Sequence, residues 1–199
     1  MNIRTNAGLA SIEAKINSLC HMRELPASLA FGCAVAAIEN ACETLICTGM
    51  GKSGHVARKL AATFQSTGQR AVFMHPAEAA HGDMGLVRHG DIVLMISNSG
   101  ETDELIPVLE YAKSLDVGVI LITSRPEAIL AQQADIVLAL PAVAEGDTID
   151  KAPMASICCQ LAAGDALAAA LMAARGFTAA DFAAIHHGGY LGRSLKAVA

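Results

Sequence analysis

Residues 91–124 read DIVLMISNSGETDELIPVLEYAKSLDVGVILITS. Within them DIVLMIS (91–97) and VGVILITS (117–124) are short, rich in β-branched residues and almost continuously apolar. Such runs belong to strands covered on both faces, because a strand with one wet face alternates apolar with polar residues. Residues 102–115 repeat their apolar side chains at helical spacing instead. Strand, helix, strand at this pitch make a right-handed crossover, and therefore a parallel sheet.

The same punctuation extends in both directions. TLICTG (44–49), RAVFMH (70–75) and ADIVLAL (134–140) are further apolar runs, with helical stretches over 52–66 and 126–133 and a weaker turn near 77–82. Residues 8–40 show helical spacing divided at Pro26, and a loop over 141–152 leads to a long helix, 153–175, a short one, 178–184, and the tail IHHGGYLGRSLKAVA. The pattern predicts one α/β domain over residues 1–199: N-terminal helices (8–40), a sheet core (44–140), and C-terminal helices with the tail (153–199). Five parallel strands with helices on both sides predict a three-layer α/β/α sandwich in the flavodoxin-like order 2-1-3-4-5. Ligands then bind beyond the carboxyl ends of the first and third strands, where the winding reverses.

A chain of 199 residues, 53% hydrophobic, carries one well-packed domain. Its formal net charge of −5 argues against a broad electropositive face for nucleic acid or anionic lipid, so any phosphate must be held locally. Six cysteines in apolar contexts, with no CxxC pair and no secretory stretch, indicate reduced thiols and a cytoplasmic location. QLAAGDALAAALMAA (160–174) carries Asp165 in its middle and ends beside Arg175, which predicts a buried helix rather than a membrane span of about 20 apolar residues.

Two polar loops face the expected crevice: TGMGKSGH after the first strand and SNSGETDE after the third. Gly51-Lys52-Ser53 invites a P-loop reading, which fails because Ile46 stands where that motif needs glycine. Gly49, Gly51 and Gly54 match G-x-G-x-x-G, yet His75 and Pro76 occupy the place of the acidic residue a dinucleotide requires. A monophosphate site fits better. Gly51 allows close backbone approach, Ser53 opens a helix whose free amides favour an anion, Ser97, Ser99 and Thr102 bring hydroxyls, and Asn98 brings an amide. A single Ser or Thr in such a place is an ordinary cap or turn former. Two such loops meeting at one crevice point to a ligand.

Candidate acid, base and electrophilic groups lie around these loops. Lys52 sits in the first loop; Glu101 and Glu104, three apart at a helix start, are expected on one face, with Glu104 the base candidate. His81 lies in HPAEAAHGDMG, Glu145 in the loop after the fifth strand, and His186 and His187 before a double glycine. No HxxxH or HExxH spacing occurs, so no metal is expected.

TGMGKSGHVARKLAATFQSTG, AEAAHGDMGLV, ISNSGETDEL, GDALAAALMAARGFTAADFA and HHGGYLGRSL together resemble the SIS (sugar isomerase) domain of D-arabinose 5-phosphate isomerases, from about residue 40 to 196. The resemblance implies an SIS-type five-stranded sandwich. It implies cofactor-free interconversion of D-ribulose 5-phosphate and D-arabinose 5-phosphate through a cis-enediol, feeding Kdo synthesis for lipopolysaccharide or capsule. It also implies a homo-tetramer whose active site is shared between subunits. By position it assigns catalytic roles to Lys52, His81, Glu104, Glu145 and His186, and phosphate-binding hydroxyls to Ser53, Ser97, Ser99 and Thr102. In that mechanism Glu104 moves a proton between carbons 1 and 2, His81 or His186 serves the oxygens, and Lys52 stabilises the enediolate.

Three features depart from the family pattern. His187 and Tyr190 replace a proline and an alanine of its tail, Ala-Pro-Thr-Ser-Ser appears as APMASICC (152–159), and the chain ends without CBS modules. Three alternatives stay open: a non-catalytic phosphosugar-binding module, an isomerase of another sugar phosphate and, ranking third, a nicotinamide-dependent dehydrogenase.

Overall fold

A computed structural model describes residues 2–188 of the chain; Gly189, Tyr190 and the rest of the tail lie outside the described residues. Helix α1 (Ile3–His21) starts ahead of the expected position because Asn2 caps it, its Oδ1 accepting from the amides of Arg4 (2.9 Å) and Thr5 (3.1 Å). Helix α2 (Leu29–Ala41) follows after a short 3₁₀ turn, Leu25–Ala27, that contains Pro26. Then come β1 (Leu45–Gly49), α3 (Gly51–Ser66), β2 (Ala71–Met74), α4 (Pro76–Ala79), β3 (Ile92–Ile96) and α5 (Ile106–Ser114). The chain continues through β4 (Gly118–Thr123), α6 (Ile129–Gln133), β5 (Ile136–Ala139), α7 (Ala155–Arg175) and α8 (Ala179–Ile185).

All four strand pairings are parallel and the order is β2-β1-β3-β4-β5, as expected. The apolar runs are continuous because both sheet faces are covered. On one face Leu45, Cys47, Leu94, Ile96, Ile120 and Ile122 meet α2, α3 and α7. On the other Ile46, Val93, Met95, Val119 and Leu121 meet α5 and α6. Every residue of β1 and β3 is buried, which places the switch between them at the centre of the sheet.

Helix α7 is long and apolar enough by composition to cross a membrane, and it is a core helix. Ser156, Gln160, Ala163, Gly164, Leu167 and Leu171 form its buried stripe. It runs so close to α3 that a Cβ on Gly164 would come 2.2 Å from the Leu60 side chain.

One expectation is corrected. Residues 102–115 do not form a single helix: a 3₁₀ turn spans Asp103–Leu105, and α5 begins only at Ile106, with Pro107 in its first turn. Proline has no N–H to donate and is tolerated only where a helix starts, so the helix restarts there. Glu101 therefore precedes the turn that holds Glu104, and the two carboxylates share no helical face.

Candidate active site

Strand β1 ends at Gly49 and α3 opens at Gly51, whose φ of +58° is the left-handed turn glycine favours. The approach is tight: a Cβ on Gly54 would lie 2.5 Å from the Gly49 carbonyl oxygen, and one on Gly49 would lie 2.9 Å from that of Ile96. Met50 caps α3 without any side-chain hydrogen bond. The first-turn amides are thus left for an anion, which the helix dipole also favours. Lys52 and Ser53 in that turn line the cleft above it.

The loop after β3 is held from within. Ser97, 2% exposed, shares a 2.7 Å hydrogen bond with the Thr102 hydroxyl, and its Oγ accepts from the amide of Gly100 at 3.0 Å. The Asn98 carbonyl accepts from the Ser124 amide (3.2 Å) and hydroxyl (2.8 Å). Ser97 is therefore spent on shaping the loop, and Asn98, Ser99 and Thr102 are what it presents to the cleft.

The third wall comes from the loop after β5 and from α7. Glu145 Oε2 accepts from the amides of Met154 (2.7 Å), Ala155 (2.7 Å) and Ser156 (3.1 Å), so this carboxylate caps α7 from a distance in sequence. Burial acts to raise its pKa, and the bonds from Ser156 and from the three amides outweigh it, holding the carboxyl below its ordinary range. Lys151, Ser156 and Gln160 complete a cleft of about 330 Å³.

Of the residues singled out from sequence, Lys52, Ser53, Asn98, Ser99, Thr102 and Glu145 come together here. Gly51 supplies the backbone turn beneath them, and Ser97 the brace. Three others do not line this cleft. His81 is exposed in the turn after α4, and Glu104 is exposed in its 3₁₀ turn. His186 follows α8, stacked on Phe182 at 3.7 Å between rings with Nδ1 2.8 Å from the Phe182 carbonyl oxygen.

Gln160 escaped the sequence reading because it opens an alanine-rich run whose other residues mark a packing helix. The available signal was its place one turn beyond Ser156, on the buried face. Two larger hollows, about 700 and 410 Å³, lie between the β2 edge and α8 and between α1, α2 and β5. Of these three hollows, the cleft at the switch point alone is lined by residues, Asn98 and Gln160, whose buried side-chain oxygens have no partner among the described residues. Its chemistry therefore marks it as the site.

Residues 40–170 match the SIS domain family. The chain belongs to that family. This SIS domain is 51% identical over 151 residues to arabinose 5-phosphate isomerase KdsD of Escherichia coli K12, covering 76% of this chain and 46% of the relative. It is 48% identical over 162 residues to the enzyme of the same name from Pseudomonas aeruginosa, covering 78% and 50%. It thus spans about half the length of these curated relatives. A solved E. coli CFT073 protein in complex with arabinose 5-phosphate has a TM-score of 0.82 at 37% identity, covering 94% of this chain and 100% of that one.

Removing the Glu145 charge is expected to loosen the third wall. Its folded pKa is depressed, so its stabilisation is complete above the unfolded carboxylate value near 4.3 and is lost as pH falls through the lower folded value. Glu145→Gln should cost about 1 kcal/mol at neutral pH. It should also flatten the acid limb of the stability profile in melts from about pH 7 to about pH 3. An unchanged acid limb would show that the cap contributes nothing.

Proposed function

We propose that this SIS domain is an aldose-ketose isomerase that interconverts D-ribulose 5-phosphate and D-arabinose 5-phosphate through a cis-enediol. The observation that carries the proposal is the cleft in which an uncapped helix N-terminus, Lys52 and the hydroxyl-bearing β3 loop converge. The first turn of α3, from Gly51 to Ser53, grips the phosphate together with Asn98, Ser99 and Thr102, on a loop that Ser97 braces. Lys52 stabilises the enediolate oxygen. The activity carried in the names of the KdsD relatives and the arabinose 5-phosphate bound to the E. coli CFT073 protein support the same substrate.

Glu104 moves the carbon-bound proton and His81 or His186 serves the oxygens. These three groups complete the site across a subunit boundary in a homo-tetramer. Supporting that assembly, Leu9, Ile12, Ile16 and Leu19 follow helical spacing along α1 and are 41–58% exposed, an apolar face of the kind that associates. A cytoplasmic location fits six cysteines that are all free thiols.

In deuterated water, D-ribulose 5-phosphate incubated with the protein is expected to take up carbon-bound deuterium while arabinose 5-phosphate accumulates. Binding without exchange would instead favour a non-catalytic phosphosugar-binding module, the reading that fits acid-base groups lying outside the cleft. Repeating the incubation with a panel of pentose and hexose phosphates names the preferred sugar.

A further inference from the structure

Gln160 is 1% exposed on the buried stripe of α7 and is one of the residues around the cleft. Its Oε1 is buried without a hydrogen-bond partner among the described residues. A polar group left this way inside a packed helix face costs stability, so its presence calls for a partner that arrives later. Asn98, which lines the same cleft, has a buried Oδ1 in the same condition. An amide oxygen only accepts hydrogen bonds, so it suits an O–H donor and not a phosphate oxygen, while the side-chain N–H of Asn98 can donate to the anion. The anion is served by the first-turn amides of α3 and by the hydroxyls of Ser99 and Thr102, which line the same cleft. The cleft therefore combines an anion grip with acceptors for hydroxyls, and the acceptor on α7 belongs to no loop that the phosphate needs.

From this geometry we infer that Gln160 is a substrate-reading residue: its amide oxygen accepts a hydrogen bond from a hydroxyl of the sugar chain and sets which phosphosugar the domain prefers. The inference rests on the cleft being a phosphosugar site and is independent of whether the sugar is then isomerised.

The test compares the dissociation constants of inorganic phosphate and D-arabinitol 5-phosphate, a non-reacting polyol phosphate, by calorimetry. In wild-type protein the polyol phosphate should bind more tightly than phosphate. Gln160→Leu should shrink that advantage about ten- to a hundredfold while phosphate affinity stays the same. Its melting temperature should stay level or rise, since an unpartnered polar group is removed. Gln160→Met, which preserves volume, should behave alike. On wild-type protein alone, one monodeoxy analogue of the polyol phosphate should lose a similar factor, a readout that needs no variant to fold.

An unchanged advantage in the variants overturns the assignment, as does a lower melting temperature with that advantage intact, which would make Gln160 purely structural. Wild-type protein that binds the polyol phosphate no better than phosphate overturns it too, as do monodeoxy analogues that all bind like the parent. Loss of the advantage in a protein that exchanges no carbon-bound hydrogen would keep Gln160 in its role and remove the isomerase instead.

Discussion

Lys52→Met is expected to lower kcat/KM for D-ribulose 5-phosphate by about a hundredfold to a thousandfold, the size of effect seen when one group that stabilises a developing oxyanion is lost. Lys52 occupies the first turn of α3 and lines the cleft with Ser53, Asn98 and Thr102, where an ammonium meets either the phosphate or the reacting carbonyl oxygen. The two roles separate kinetically. A charge that only grips phosphate strengthens ground and transition states alike, so its loss raises KM. A charge that meets the enediolate oxygen acts on the transition state, so its loss lowers kcat. We expect the loss to fall on kcat, with an unchanged melting temperature because Lys52 is exposed. A variant with full kcat would remove Lys52 from the chemistry and leave it as a phosphate ligand.

The second large effect is steric. Gly54→Ala would place a Cβ 2.5 Å from the Gly49 carbonyl oxygen, a backbone atom at the end of β1 that cannot swing aside as a side chain can. The start of α3 must then move off the sheet, at a cost of about 1–3 kcal/mol. The amides of its first turn move with it, so phosphate affinity should fall along with the melting temperature. Gly51→Ala is the informative contrast. Nothing lies within 4 Å of its added Cβ, and only the φ of +58° opposes the change, at about 1–2 kcal/mol. Calorimetric phosphate titrations and thermal melts on both variants test this. Phosphate affinity unaffected by Gly54→Ala would mean that the β1–α3 contact does not position the anion site.

The doubly covered strands were visible because every residue of β1 and β3 is buried, leaving no alternation to find. The polar loops stood out because Gly, Ser and Asn at the mouth of such strands do nothing for the core. Less visible was how each polar residue is spent. Ser97 and Thr102 look equivalent in SNSGET, yet Ser97 turns inward to hold Gly100 while Thr102 also reaches the cleft. Glu145 looks like a free loop carboxylate until α7 brings three amides to it. The restart of the helix at Ile106 was signalled by Pro107, whose missing donor outweighed the apolar spacing around it.

The sequence by itself determined the strands, the helices and the polar loops between them, because burial on two faces and helical periodicity are properties of neighbouring residues; the order 2-1-3-4-5 followed from the common winding of five such parallel strands. Tertiary structure alone decided that α7 folds back over α3, with Gly164 against Leu60, and so brings Gln160 to loops lying tens of residues earlier in the chain. The physical reason is range. A repeating apolar pattern reports which face of an element is buried, whereas close packing between distant segments decides what that face meets.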